Sequence, residues 1–444
     1  HGGAQTAQKR WRGRVMAWPI GMALLLALIF AGVPIAFAMT AVGLVGVVSI
    51  VGWHPALAML GQVFFDSGRS YTLSVVPLFL LMGNLVVQSG VAGDLYAAAN
   101  AWLRHRKGGL AMATIVACGG FSSVCGSSLA TTATFGRTAL PEMLSHGYRA
   151  SFSSGVIAAG GNLGAIVPPS IIMVIYAVLA KQFILDVFVA SILPILLTVT
   201  AMLVTIWIVV RLKPDWGPRS ERASWADRLL ALRRAWAAAL LVLIVLGGIY
   251  GGVFTVNEGA AVGAVAALII AIVRRRMSMS DFWQAILEAA QSTASIYLII
   301  IGASVFSYFV TLSGVSEAFV EALKATDLAP IAIVLLLLVG YLILGSIFET
   351  VSAMLITLPF VLPLIIELGY DPIWWGIINV AIIELGMITP PIGMNVMLLH
   401  SMNPAIALRQ IYSGVGPFIL CNILVLLTLV IVPDISLVLL RWFG

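Results

Sequence analysis

Charge is what this sequence has least of. Of its 444 residues only 9% are Asp, Glu, Lys or Arg, 18 acidic and 24 basic, where soluble domains carry roughly a quarter. With 61% of residues hydrophobic, an ordinary soluble globule is excluded. Cysteine is almost as scarce. Cys118, Cys125 and Cys421 all lie in apolar stretches, so neither a disulfide framework nor a thiolate metal site is expected. No Lys is followed by Ser or Thr, which removes the Walker A motif and an ATPase with it. His54, His105, His146 and His400 fall near loops, which argues against paired haem ligands. A transmembrane β-barrel would show alternating segments of about 10 residues, and the long unbroken apolar runs exclude it.

Those runs lie near residues 15–36, 38–52, 72–90, 153–180, 186–210, 235–254, 259–273, 286–312, 373–399 and 412–432. A helix needs about 20 apolar residues to cross the hydrocarbon core, so the chain has room for on the order of 12 crossings. The expected class is an all-α polytopic membrane protein. Two more apolar stretches, 108–136 and 330–358, carry Gly, Ser and Thr where the bilayer middle should be. They are expected to be re-entrant helical hairpins, because irregular backbone at that depth survives only inside protein or facing an aqueous cavity.

The expected organisation is a basic amino-terminal segment (1–14), a first half (15–210), a polar linker (211–234), a second half (235–435) and a carboxy-terminal segment (436–444). Gly126-Ser127, Pro141, Gly147-Tyr148, Gly164 and Pro168-Pro169 recur as Gly345-Ser346, Pro363, Gly369-Tyr370, Gly386 and Pro390-Pro391. The chain has just these two Pro-Pro pairs, so the shared order reads as a repeat. Arg104, Arg106, Lys107, Arg137 and Arg149 flank the first hairpin. Glu317, Glu321, Asp327, Glu367 and Asp371 flank the second, with Lys324 alone to offset them. By the positive-inside rule the first hairpin opens from the cytoplasm and the second from the opposite side. The linker and Arg274-Arg275-Arg276 are cytoplasmic on the same count. The repeat is therefore expected to be inverted, an architecture of secondary transporters. Lys9, Arg10, Arg12 and Arg14 pull the amino terminus toward the cytoplasm, whereas counting crossings back from the first hairpin puts it outside.

Paired prolines lack N–H donors and clash with the preceding turn, so they free carbonyls from the helical ladder. Interrupted helices are thus expected within 153–180 and 373–399. Freed carbonyls and Ser hydroxyls are neutral oxygens suited to a hard monovalent cation such as Na+. Exposed helix N-termini point partial positive charge at a carboxylate. For any single Gly, close helix packing through small residues is the simpler reading; the paired hairpin and interrupted helix favour a binding site. Glu349 and Glu384 lie in apolar sequence, where a charge costs roughly 2.5–3.5 kcal/mol. Each is either functional or bonded to nearby backbone N–H groups. Thr255-Val256-Asn257-Glu258 reads as a capping box. Gly247, Gly248, Gly251 and Gly252 suit helix packing. Trp374 and Trp375 read as interfacial anchors.

Cys125-Gly126-Ser127-Ser128-Leu129-Ala130-Thr131, running on through Gly136-Arg137-Thr138-Ala139-Leu140-Pro141-Glu142-Met143, resembles the signature of the large membrane subunit of TRAP transporters. Gly247 to Thr255 is similar to a second stretch of that family, and Ile388-Thr389-Pro390-Pro391-Ile392-Gly393-Met394-Asn395 to a third. Thr255-Val256-Asn257-Glu258 departs from the family's usual Thr-Pro-Thr-Glu. The likeness spans about residues 15 to 435. It implies a Na+-driven importer of organic acids in the bacterial inner membrane, not an enzyme, with Na+ as co-transported ion and no organic cofactor. It further implies a periplasmic substrate-binding protein, a small four-helix membrane subunit and an elevator motion. Some members fuse the small subunit upstream, which would fit a chain beginning with His rather than Met. Carried over by motif, Ser122, Ser123, Gly126, Ser127, Gly164 and Pro168 are expected at one Na+ site, and Gly345, Ser346, Thr350, Gly386 and Thr389 at the other. Ser128, Asn162 and Asn395 are expected to face substrate. The nearest alternative is a stand-alone dicarboxylate or anion carrier of the same fold, coupled to protons or to exchange. A membrane-embedded enzyme subunit and a channel are more remote.

Overall fold

The computed structural model describes residues 18–315 and 328–443. Lys9, Arg10, Arg12 and Arg14, and Glu317, Glu321, Lys324 and Asp327 beside the second hairpin, lie outside the described residues. Among the described residues all regular structure is helical. Among the described residues six helices are long and apolar enough to cross a membrane, or up to nine if each sharply bent pair counts as one span. This falls below the dozen that length allowed, because much of the apolar sequence is spent on helices of fewer than 18 residues. Gly109–Cys125 and Pro372–Gly386 are examples.

The first two apolar runs form the helices Trp18–Phe30 and Ile35–Val51. Trp53–Gly68, which the hydropathy pattern does not reveal, then bends by 55° into Thr72–Gln88. Met279–Ser313, with 35 residues, is about 52 Å long at 1.5 Å per residue. It crosses Ile35–Val51 backbone to backbone. A Cβ added at Gly43 would come within 2.8 Å of the Phe306 backbone, and one at Gly302 within 2.5 Å of Ala36 O. Small residues allow this close approach, as they do in membrane helix pairs generally.

Two helix pairs are split by short breaks. Gly109–Cys125 ends because Gly126 takes the left-handed conformation (φ +64°), and Ser128–Ser145 begins with the Ser127 hydroxyl accepting from Ala130 N at 3.3 Å. Such a hydroxyl satisfies a donor that the first turn leaves orphaned. The two arms lie side by side. Leu110 N donates to the Tyr148 hydroxyl (3.2 Å), and the Phe121 and Phe135 rings meet edge to face at 5.8 Å. In the second pair, Pro330–Ile347 and Thr350–Glu367 are separated by Phe348 and Glu349, both extended. Gly147 and Gly369 close the second arm of each pair with matching positive φ, +78° and +82°.

Each pair is followed by an interrupted helix. The first consists of Ala150–Gly161, Leu163–Ile166 and Ile171–Leu179, the last piece bent 41° from the rest. Val167 is extended, and the Ser170 hydroxyl restarts the helix by accepting from Met173 N (3.3 Å). The second consists of Pro372–Gly386 and Met394–Met402. Both breaks hold a cis Pro-Pro bond, Pro168-Pro169 and Pro390-Pro391.

The linker is more ordered than its polarity suggested. Ile184–Leu212 reaches into it, and Ser224 and Asp227 form a capping box that starts Trp225–Arg234. Between them the chain is strapped across the open end of the first hairpin. Gly108 N donates to Gly217 O (2.9 Å), Ser220 N to Arg104 O (3.0 Å) and Arg149 N to Trp216 O (3.3 Å).

The capping box at Thr255 and Glu258 forms as expected, with Thr255 N donating to Glu258 Oε2 at 2.8 Å. Trp374 and Trp375 are not interfacial anchors. Both are fully buried; Trp374 stacks on Tyr370 (4.7 Å) and donates to Leu429 O (3.0 Å), locking the second interrupted helix to Leu408–Ile431. Of the four glycines assigned to packing, Gly248 lies against Phe254. Gly252, at φ +70°, instead turns the chain after the helix.

Candidate functional site

In each half the interrupted helix touches the tip of the preceding hairpin through glycine. A Cβ at Gly164 would come within 2.4 Å of Ser127 O, and one at Gly386 within 2.4 Å of the Gly345 carbonyl carbon. Gly126 meets Pro169 O in the same manner (2.7 Å), and Gly345 meets Ile383 O (2.6 Å). Gly393 N also donates to Ser346 O (3.1 Å). The same backbone contact therefore occurs at the equivalent place in both halves.

A buried polar network joins the two halves. Asn162 Nδ2 donates to Glu384 O (2.7 Å), and Asn395 Nδ2 to Asn162 Oδ1 (2.8 Å) and Ser128 Oγ (2.9 Å). Thr350 Oγ1 donates to Glu384 Oε1 at 2.7 Å. Glu384 is fully buried, and its Oε2 has no hydrogen-bond partner among the described residues. Buried polar groups are normally paired, so this oxygen is open to a donor or a cation. The alternative reading of Glu349, as a carboxylate bonded to backbone N–H groups at the helix start, does not hold. It occupies the N-cap of Thr350–Glu367 without making the capping bond.

In front of this network lies a cavity of about 360 Å³. Its wall takes Gly126, Ser127 and Ser128 from the first tip, Glu349 and Thr350 from the second, and Glu384 from the second interrupted helix. Gln291, Ser292 and Ser295 of Met279–Ser313 close the far side. Three helices place their first residues in the wall: Ser128–Ser145, Thr350–Glu367 and Ile171–Leu179. Their N-termini bring partial positive charge to the edge of the space.

The residues singled out from sequence fall in different places. Gly126, Ser127, Ser128 and Thr350 line the cavity. Gly164, Gly345, Ser346 and Gly386 form the backbone contacts behind the tips, and Pro168 belongs to the first cis bond. Asn162 and Asn395, expected to face substrate, stand behind the wall in the network. The hydroxyls of Ser122, Ser123, Ser346 and Thr389 donate to their own helices: Ser122 to Cys118 O (2.6 Å), Ser123 to Gly120 O (2.8 Å), Ser346 to Ile343 O (2.8 Å) and Thr389 to Leu385 O (2.6 Å). A hydroxyl whose proton is so engaged keeps its lone pairs for a cation. Gln291, Ser292 and Ser295 were missed. Their signal was present as polar side chains inside the apolar stretch 286–312, but nothing along the chain says which side of a helix meets the tips.

The family model for the tripartite ATP-independent periplasmic transporter DctM component matches residues 22–435. The large permease protein of the C4-dicarboxylate TRAP transporter of Pseudomonas aeruginosa is 35% identical over 404 residues, covering 90% of this chain and 94% of that protein. The isethionate TRAP transporter permease of Oleidesulfovibrio alaskensis, a DctMQ protein, is 33% identical over 407 residues, covering 91% of this chain and 63% of that protein. Among solved structures, the YdaH transporter of Alcanivorax borkumensis superposes with a TM-score of 0.61 over 88% of this chain and 89% of that one, at 16% identity. That likeness concerns the fold alone. The match along nearly the whole length, together with cavity-lining helix ends deep in an apolar bundle, identifies the chain as a multi-pass membrane protein belonging to the DctM family, the large permease component of TRAP transporters.

Proposed function

We propose that this chain moves an organic acid across the bacterial inner membrane together with Na+. In this reading its halves are inverted copies, and its hairpins and interrupted helices travel as one elevator body against Met279–Ser313 and the helices packed on it. A periplasmic binding protein delivers the substrate and a small membrane subunit completes the scaffold. The DctMQ relative, a permease whose name joins two components, supports a close tie to that subunit.

The observation that carries the reading is the cavity shared by both hairpin tips. Helix N-termini in its wall suit a substrate carboxylate. The described wall also holds Glu349 and Glu384 and no basic side chain. Burying a substrate carboxylate beside these two buried carboxyl groups, with no basic side chain to offset it, is costly unless a cation accompanies it, and this favours coupling to a cation. Backbone carbonyls and hydroxyls around Ser127, Gly164, Ser346 and Gly386 are the proposed Na+ ligands.

The test is uptake into proteoliposomes with the small subunit and binding protein supplied. Removing the inward Na+ gradient should abolish accumulation of the organic acid. Accumulation that persists without Na+ but collapses with the proton gradient would favour the carrier coupled to protons.

A further inference from the structure

A second cavity, of about 560 Å³, opens away from the transport site. It lies where Val91–Leu103, Trp225–Arg234 and the residues following Val256–Val273 meet, on the face that the positive-inside rule assigns to the cytoplasm. Its wall holds Arg233, Arg234, Arg274 and Arg276 against one carboxylate, Asp94. Asp94 is already engaged, paired directly with Arg274 and 3.8 Å from Arg276. Arg274 nonetheless keeps a buried Nη1 with no partner. Four guanidinium groups around a single, occupied carboxylate leave a concentrated positive charge that attracts an anion. Planar guanidinium forks match phosphate oxygens better than lone ammonium groups do.

The rest of the wall is apolar and exposed. Leu230 and Trp236 border the arginines at 49% and 44% exposure. Trp225, Leu229 and Leu232, at i, i+4 and i+7, form one exposed apolar face on the same short helix. An amphipathic helix of this kind lies in the membrane interface with its apolar face among acyl chains. A free phosphate would use the arginines and leave this apolar border without a role. We propose that the cavity binds the headgroup of an anionic phospholipid, with its phosphate on Arg233, Arg234 and Arg276 and its acyl chains along Leu230 and Trp236. The bound lipid pins Trp225–Arg234, and with it the strap across the first hairpin, to the membrane surface.

The full chain, purified and delipidated in a neutral detergent, would be titrated separately with phosphatidylglycerol, cardiolipin, phosphatidylcholine and inorganic phosphate. Native mass spectrometry and thermal unfolding report binding. Both anionic lipids should form adducts and raise the unfolding midpoint, and phosphatidylcholine should do neither. The double variant Arg233→Gln/Arg234→Gln, both exposed positions, should weaken the anionic lipids roughly 30-fold, from the loss of two surface charges. Arg211→Gln, outside the cavity, should bind as the parent does. Equal binding by the double variant overturns the site. An equal stabilisation by inorganic phosphate assigns it to a free anion and overturns the lipid. Loss of the adducts on co-purification with the small membrane subunit makes the cavity a protein interface, and that also overturns the proposal.

Discussion

Gly386 shows how much one side chain can decide here. Its Cα faces the backbone of Gly345 and Ser346, with 2.4 Å between an added Cβ and the Gly345 carbonyl carbon. Backbone cannot rotate aside as a side chain can. Gly386→Ala should therefore lower the thermal unfolding midpoint by the equivalent of about 1–3 kcal/mol, the usual cost of overpacking, and should stop uptake. A parent-like midpoint would show that the tip and the interrupted helix are not in contact. At this scale the sequence was partly readable. Gly164 and Gly386 stood out through their fixed distance from the Pro-Pro pairs, which is a local pattern. The network was not readable, since Asn162 and Glu384 are 222 positions apart and Asn395 and Ser128 are 267 apart. Asn162 and Asn395 were recognised as polar residues in a motif, yet which way they pointed depended on the opposite half.

At the scale of the element, hydropathy located helices well where one segment is uniformly apolar and poorly where polar residues interrupt it. Ile184–Leu212 and Leu408–Ile431 are cases of the first kind. Trp53–Gly68 is of the second, because Gln62, Asp66 and Ser67 dilute its apolar side. The linker shows a related limit of composition. Its charge marked it as a cytoplasmic connection, but charge does not forbid local order, and Ser224 and Asp227 nucleate a helix there. Trp216 anchors the strap between. It packs on Phe152 (6.0 Å), with the Arg149 guanidinium 5.2 Å and Lys213 Nζ 4.0 Å from its ring. Trp216→Ala should release the strap without unfolding the bundle. Limited trypsin digestion would then cut faster at Arg219 and Arg222, and unchanged cleavage would show that the backbone bonds to Gly108 and Arg104 suffice.

For the whole molecule, the central cavity lies between two sets of elements that the proposed elevator moves apart. Leu129 belongs to the first hairpin and Ser292 to Met279–Ser313, and both line the cavity. With cysteines at Leu129 and Ser292, a short bifunctional thiol reagent should arrest uptake, and reduction should restore it. Cys118, Cys125 and Cys421 are buried and leave the new pair as the reactive thiols. Full activity after complete cross-linking would mean that the hairpin and the long helix move together, and the elevator reading would fall.

The sequence by itself determined the solvent this protein lives in and the approximate place of the breaks at its two Pro-Pro pairs. Each of these follows from composition or from short-range order, since apolar runs must avoid water and Gly and Pro interrupt helices wherever they occur. The tertiary structure alone decided which oxygens face the cavity and which are spent on other helices. It also turned Trp374 and Trp375 inward, set Gln291, Ser292 and Ser295 opposite the hairpin tips, and gathered arginines from two distant segments around Asp94. The physical reason is common to all of these. Inside a bundle a side chain's surroundings come from helices remote in sequence, and packing, not local propensity, selects which face of each helix turns in.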